Sequence, residues 1–127
     1  MENTIKEKNE KELWGFVVYD IMDDGCLNGI WTNSYAQENQ LMNEIARKEK
    51  ISNDNIEIAG HYKLAWIEPN EKKPITGTLI ITKKPDENTY LVEWRNGNKI
   101  AFYGKGLILG KKKLVVYYWE ADKNSKN

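Results

Sequence analysis

The chain has 127 residues, enough for one domain with a core but not for two. Charged residues make up 30% of it and balance, 19 basic against 19 acidic, so no net field draws nucleic acid to it. A single cysteine, Cys26, excludes an internal disulfide framework and a cysteine-based zinc site, and no metal or cofactor is expected.

No apolar run approaches the ~18 residues of a membrane helix. The polar start, Met1 to Lys8, lacks the apolar core of a signal peptide, so a cytoplasmic protein without a membrane partner is expected. Aromatics are abundant, with five Trp and seven Tyr against two Phe. Trp and Tyr carry a polar handle, which suits half-wet surfaces and cavities better than a dry core.

Residues 1–12 are nearly all polar and read as a flexible tail. Leu13–Ile21, rich in aromatic and β-branched residues, reads as a strand, turned by Asp23-Asp24-Gly25. Asp20, Asp23 and Asp24 miss the alternating ligand spacing of a calcium loop, so a plain hairpin turn is expected. Cys26–Asn33 is the second strand, with Leu27, Gly29, Trp31 and Asn33 on one face; Cys26 reads as a small strand residue.

Residues 34–55 are ambiguous. Leu41, Met42, Ile45 and Ala46 fit a helical stripe, and Glu44, Arg47, Lys48 and Glu49 favour helix by propensity. The same run, near residues 40–48, also fits a strand with Leu41, Asn43 and Ile45 on one side. Because its neighbours are all strands, a strand is preferred.

Ile56–Ile67 alternates clearly, with Tyr62, Leu64 and Trp66 on one face and Glu57, His61 and Lys63 on the other. Ile75–Lys83 follows a charged loop. Tyr90–Arg95 and Ile100–Leu109 flank an Asn96-Gly97-Asn98 turn, a strong hairpin signal. Leu114–Trp119 follows the turn at Gly110-Lys111-Lys112, and residues 121–127 read as a flexible C-terminal tail. The pattern predicts a single all-β domain over 13–120, a small up-and-down antiparallel β-barrel of about eight strands. Closure would remove the exposed edges of an open sheet. Glycines inside most of the strands suit tight curvature.

The order of short motifs resembles the avidin and streptavidin family, a calycin-type barrel. Leu27–Asn33 is similar to its L-x-G-x-W-x-N opening, Gly60–Trp66 to its G-x-Y strand, and Thr89–Trp94 to its strand ending in V-x-W. Phe102-Tyr103-Gly104 and Leu114–Trp119 are similar to its last matched strands. The resemblance implies biotin-facing roles for Asn33, Tyr62, Trp94 and Trp119. The match is incomplete: Leu64 stands where the family has a hydroxyl, and the covering loop has no counterpart in Pro85–Asn88. The family's last strand would fall after Trp119. Leu13–Ile21 could fill that slot from the N-terminal side, as in a circular permutation.

His61, the only histidine, alternates onto the outer face, and no nucleophile elbow, phosphate loop or carboxylate pair is present. No enzyme activity is expected. The sequence instead points to non-enzymatic binding of a small, partly apolar ligand in the barrel. Its candidate residues are Asn33, Tyr62, Trp94 and Tyr117, with Trp119, Trp31 and Trp66 beside them. Leu64 completes the expected inward set. The alternative is a barrel filled by its own side chains. Leu114–Trp119 is apolar on both faces, and with Tyr117 inward its outer face, carrying Tyr118, would form a homodimer contact.

Overall fold

The computed structural model describes residues 13–35, 41–49, 58–67, 72–85 and 88–121. The expected tails, 1–12 and 122–127, lie outside them, whereas Ala121 is tied down: its N–H donates to the Ala101 carbonyl at 2.9 Å. Eight strands follow in order: β1 Trp14–Ile21, β2 Leu27–Asn33, β3 Met42–Lys48, β4 Gly60–Trp66, β5 Ile75–Lys83, β6 Thr89–Asn96, β7 Lys99–Leu109 and β8 Lys113–Glu120. Each pairs antiparallel with the next, and β1 pairs with β8 to close the barrel. The N-terminal strand therefore fills the place beside β8.

The ambiguous segment is a strand, and no helix occurs among the described residues. Its helical propensity loses to pairing on both sides, with β2 through Leu27↔Ala46 and with β4 through Lys48↔Tyr62. The inward side is Met42, Glu44 and Ala46, while Asn43 and Ile45 face out. No helix is long and apolar enough to cross a membrane, which says nothing of a barrel. The strand expected from Ile56 begins at Gly60, and residues 56 and 57 lie outside the described set.

One end of the barrel carries the start of β1 and the finish of β8; we call it the terminal end. The other, the far end, carries the β1–β2 and β7–β8 turns, in which Gly25 and Gly110 take positive φ, 89° and 67°. Asp24 caps the first by accepting from the Cys26 N–H at 3.0 Å, the hairpin chemistry expected there. Inside this end, Leu27, Ala46, Ile58 and Ile81 pack into an apolar floor.

The lumen is too narrow for every strand to carry a large inward residue, and glycine resolves the crowding at two crossings. Tyr19 on β1 lies across Gly29 of β2, where an added Cβ would stand 2.7 Å from the ring. Tyr118 on β8 lies across Gly15 of β1 in the same way, 2.6 Å from where a Cβ would be, and its hydroxyl donates to the Thr32 carbonyl at 3.2 Å. In both places an aromatic bridges a glycine to reach the strand beyond it. Replacing Gly29 with Ala should therefore destabilise the barrel by about 1–3 kcal/mol through overpacking. Chemical denaturation of Gly29→Ala checks this, and an unchanged midpoint would show that Tyr19 does not depend on the gap.

Candidate functional site

The strand alternation that places Met42 and Ala46 inside also carries Glu44 inside, leaving it 6% exposed. Among the described residues it is the one charged side chain buried in the barrel. Its Oε2 accepts from two donors: the Tyr19 hydroxyl, reaching over Gly29, and the Trp94 Nε1–H at 3.4 Å. The register explains the reach of Tyr19, because Tyr19, Gly29 and Glu44 fall in one row across β1, β2 and β3. Trp66 continues that row on β4, directly opposite Glu44, at the last position of its strand.

Around this carboxyl the terminal half of the lumen is aromatic. Trp94, Phe102 and Tyr118 form a packed triangle, with ring centroids 5.2–6.4 Å apart and edge-to-face or tilted contacts. A β-bulge between Trp94 and Arg95 sits beside it. Trp31, 7% exposed, points in from β2, and its Nε1 is buried with no hydrogen-bond partner. That is the one orphaned buried side-chain polar atom among the described residues, and such an atom costs about 1–3 kcal/mol.

Burial raises the Glu44 carboxyl from its ordinary 4.5 to about 7, although the Tyr19 hydroxyl and Trp94 indole both favour the ionised form. Burial and the neighbouring Glu44 charge push the Tyr19 phenol well above its usual value. Tyr19 is therefore the proton donor in their hydrogen bond. In effect, the barrel holds a carboxyl poised near neutrality among indole and phenol groups. Among the described residues no group of three or more potential metal ligands is assembled.

The residues named from sequence divide between this region and others. Trp31, Trp94 and Trp66 belong to it. Asn33 stands at its rim, where its Oδ1 accepts from the Tyr35 N–H at 2.9 Å and so caps the turn after β2. Tyr62 and Leu64 do point inward and are buried. Tyr62, however, lies toward the far end, with its hydroxyl donated to the Ile58 carbonyl at 2.6 Å and Lys48 Nζ 5.8 Å from its ring centre. It does not converge with Asn33.

Tyr117 and Trp119 are on the outside, reversing the expected facing of β8. Leu114, Val116 and Tyr118 are the inward residues, and Tyr117 is 45% exposed. The strand is apolar on both faces, so alternation alone could not choose. The choice is made by pairing with β1, which sets Tyr118 against Gly15, small enough to let the ring cross.

Glu44 was missed because its run reads equally well as helix, and because a lone glutamate between polar neighbours resembles a solvated face. The available signal was the alternation Met42, Glu44, Ala46 once strand is accepted.

The outer wall has two unlike halves. On β1 and β8, Trp14, Phe16, Tyr117 and Trp119 form a continuous run of ring contacts with centroids 5.5–6.1 Å apart. Val18 pairs with Val115 beside them, and Tyr103 pairs with Trp119 from β7. On β3 to β6 the outer residues include Arg47, Lys63, Glu93 and Arg95, the last two in an ion pair at 2.9 Å. A depression of about 390 Å³ at the far end is lined by Ile21, Met22, Ile58, Tyr90 and the Lys111-Lys112 turn.

Fold and site together define a closed eight-stranded up-and-down barrel, compatible with a calycin-like barrel, that encloses a carboxyl at its terminal end. Comparison of the chain with models of known families, with curated proteins and with solved structures gives no match.

Because the folded protein binds the Glu44 proton more tightly than the unfolded chain, its contribution to stability is full below about pH 4.5 and is lost as pH rises through about 7. The loss should amount to roughly 3 kcal/mol. Glu44→Gln keeps an acceptor for Tyr19 and cannot ionise, so denaturant unfolding of wild type and variant across that window should diverge, with the variant the flatter. Parallel curves would show that Glu44 does not change its protonation there.

Proposed function

We propose that this is a non-enzymatic binding protein that receives a small, partly apolar ligand inside the terminal end of the barrel. The observation that carries this reading is the Trp31 Nε1–H, buried beside the Glu44 region and without a partner. A lumen sealed only for stability would be served by Phe or Leu at that position, whereas a buried and unused donor suits a ligand acceptor. Eight strands give a bore that side chains fill or that holds one small ligand. Here the far half is apolar and the terminal half carries the polar handles. The ligand enters past Trp66, which is only half-buried at the end of β4 and faces Glu44 across the ladder.

The finer resemblance to the avidin family is not carried into the ligand. Asn33 caps its own turn, Tyr62 is engaged at the other end and Trp119 is outside. Tryptophan fluorescence with a panel of small ligands, biotin included, should show a blue shift or quenching by one chemical class and silence with biotin. Silence from every ligand would remove the binding reading.

A second reading has its own support in the outer wall. Phe16 and Tyr117 are 47% and 45% exposed in the middle of an aromatic face that runs unbroken from Trp14 to Trp119. Exposed apolar patches of this kind mark association sites. We propose that a second copy covers it through a two-fold, self-complementary contact. Light scattering after size exclusion should then give a dimer for wild type and a monomer for the double variant Phe16→Glu/Tyr117→Lys. A strictly monomeric wild type would overturn the contact.

A further inference from the structure

We infer that the ligand of the terminal-end site is a small organic cation with an apolar body, a primary amine or an amidine. Its charged head would sit on the Glu44 carboxylate and its body against Trp31 and Trp94. The inference rests on the ligand-binding reading above and names the ligand class for that site.

The charge balance leads to it. A carboxylate in an apolar interior is costly unless a cation accompanies it. Glu44 has only neutral partners, Tyr19 and Trp94, and both donate to the same oxygen, Oε2. Among the described residues no cation is hydrogen-bonded or ion-paired to Glu44. Lys48, the inward-facing lysine four residues along β3, lies over the Tyr62 ring toward the far end. Glutamine would hold the Tyr19 hydroxyl equally well without a charge to bury, so anchoring Tyr19 does not account for the carboxylate.

The surroundings suit the same class. Indole faces attract ammonium and amidinium groups, most strongly where water is excluded. Trp31 and Trp94 are both nearly buried, each at 7% exposure. The free Nε1–H of Trp31 then meets an acceptor on the ligand body or a water carried in with it.

Among the described residues, the titratable side chain that meets Glu44 is the phenol of Tyr19, from β1. Burial pushes that phenol well above its usual value, so it stays protonated near neutrality and the carboxyl is the group that couples binding to protons. A cation binds the ionised form and displaces the proton held by Glu44 where pH is low.

The test titrates the whole chain with benzamidine and phenethylamine, and with their uncharged counterparts benzamide and 2-phenylethanol. Tryptophan fluorescence and calorimetry are read at about pH 8 and about pH 5.5, for wild type, Glu44→Gln and Trp31→Phe. Both cations should bind wild type at least ~10-fold more tightly than their neutral counterparts. Their affinity should fall on the order of tenfold at the lower pH, following the protonation of Glu44. Glu44→Gln should remove both effects, and Trp31→Phe should weaken binding while keeping the preference for charge.

If Glu44→Gln does not fold, the wild-type comparison of charged with neutral ligands at the two pH values decides the matter. Neutral ligands binding as tightly as the cations would overturn the class and leave the binding reading standing. Silence from both cations while another small ligand binds would do the same. Silence from every ligand would remove both.

Discussion

Every inward residue of this barrel competes for the same narrow bore, and two aromatic side chains settle the competition by crossing glycines. Tyr19 over Gly29 and Tyr118 over Gly15 each span a strand that contributes no side chain at the crossing. The first crossing delivers a hydroxyl to Glu44, the second a hydroxyl to the Thr32 carbonyl. The arrangement of the lumen follows from these contacts. The register of β8 against β1 is the one that puts Tyr118 over Gly15, and it sends Tyr117 and Trp119 outward. The register of β1, β2 and β3 brings Tyr19 and Glu44 within hydrogen-bonding reach.

The same geometry separates two kinds of chemistry by barrel end. Aliphatic side chains and Tyr62 seal the far end, with the Tyr62 hydroxyl spent on the chain that covers it. Indoles and a carboxyl occupy the terminal half. A buried carboxyl held only by neutral donors sits close to its own titration point at neutral pH. The stability of the fold and the charge inside it are thereby linked through a single proton.

Much of the architecture was legible because alternation and turn chemistry agreed. Leu27, Gly29 and Trp31 share an inward face as their spacing requires, and so do Tyr62 and Leu64. Gly97 and Gly110 mark turns at positive φ. Two parts escaped the sequence for physical reasons. β8 is apolar on both sides, so its facing is a tertiary decision made by the space above Gly15. The Met42–Lys48 run has helix-forming residues on a strand period, and only its neighbours' unpaired backbone groups impose the strand. Glu44, the most informative residue in the interior, sits in that run. Its role follows from a partner, Tyr19, that lies two strands and 25 residues away.

Closure of the barrel by β1 against β8 also fixes where the chain enters and leaves. The Glu120 N–H donates to the Leu13 carbonyl at 3.0 Å, so the two ends of the folded domain emerge side by side. They do so at the Glu44 end and next to the Trp14–Trp119 face. Any protein joined directly at Leu13 or Ala121 would shade both surfaces together. The Gly110 turn, at the opposite end of the barrel, is the place where an insertion leaves them open, and a short linker between Leu13 and Ala121 would allow the strand order to be permuted without crossing the lumen.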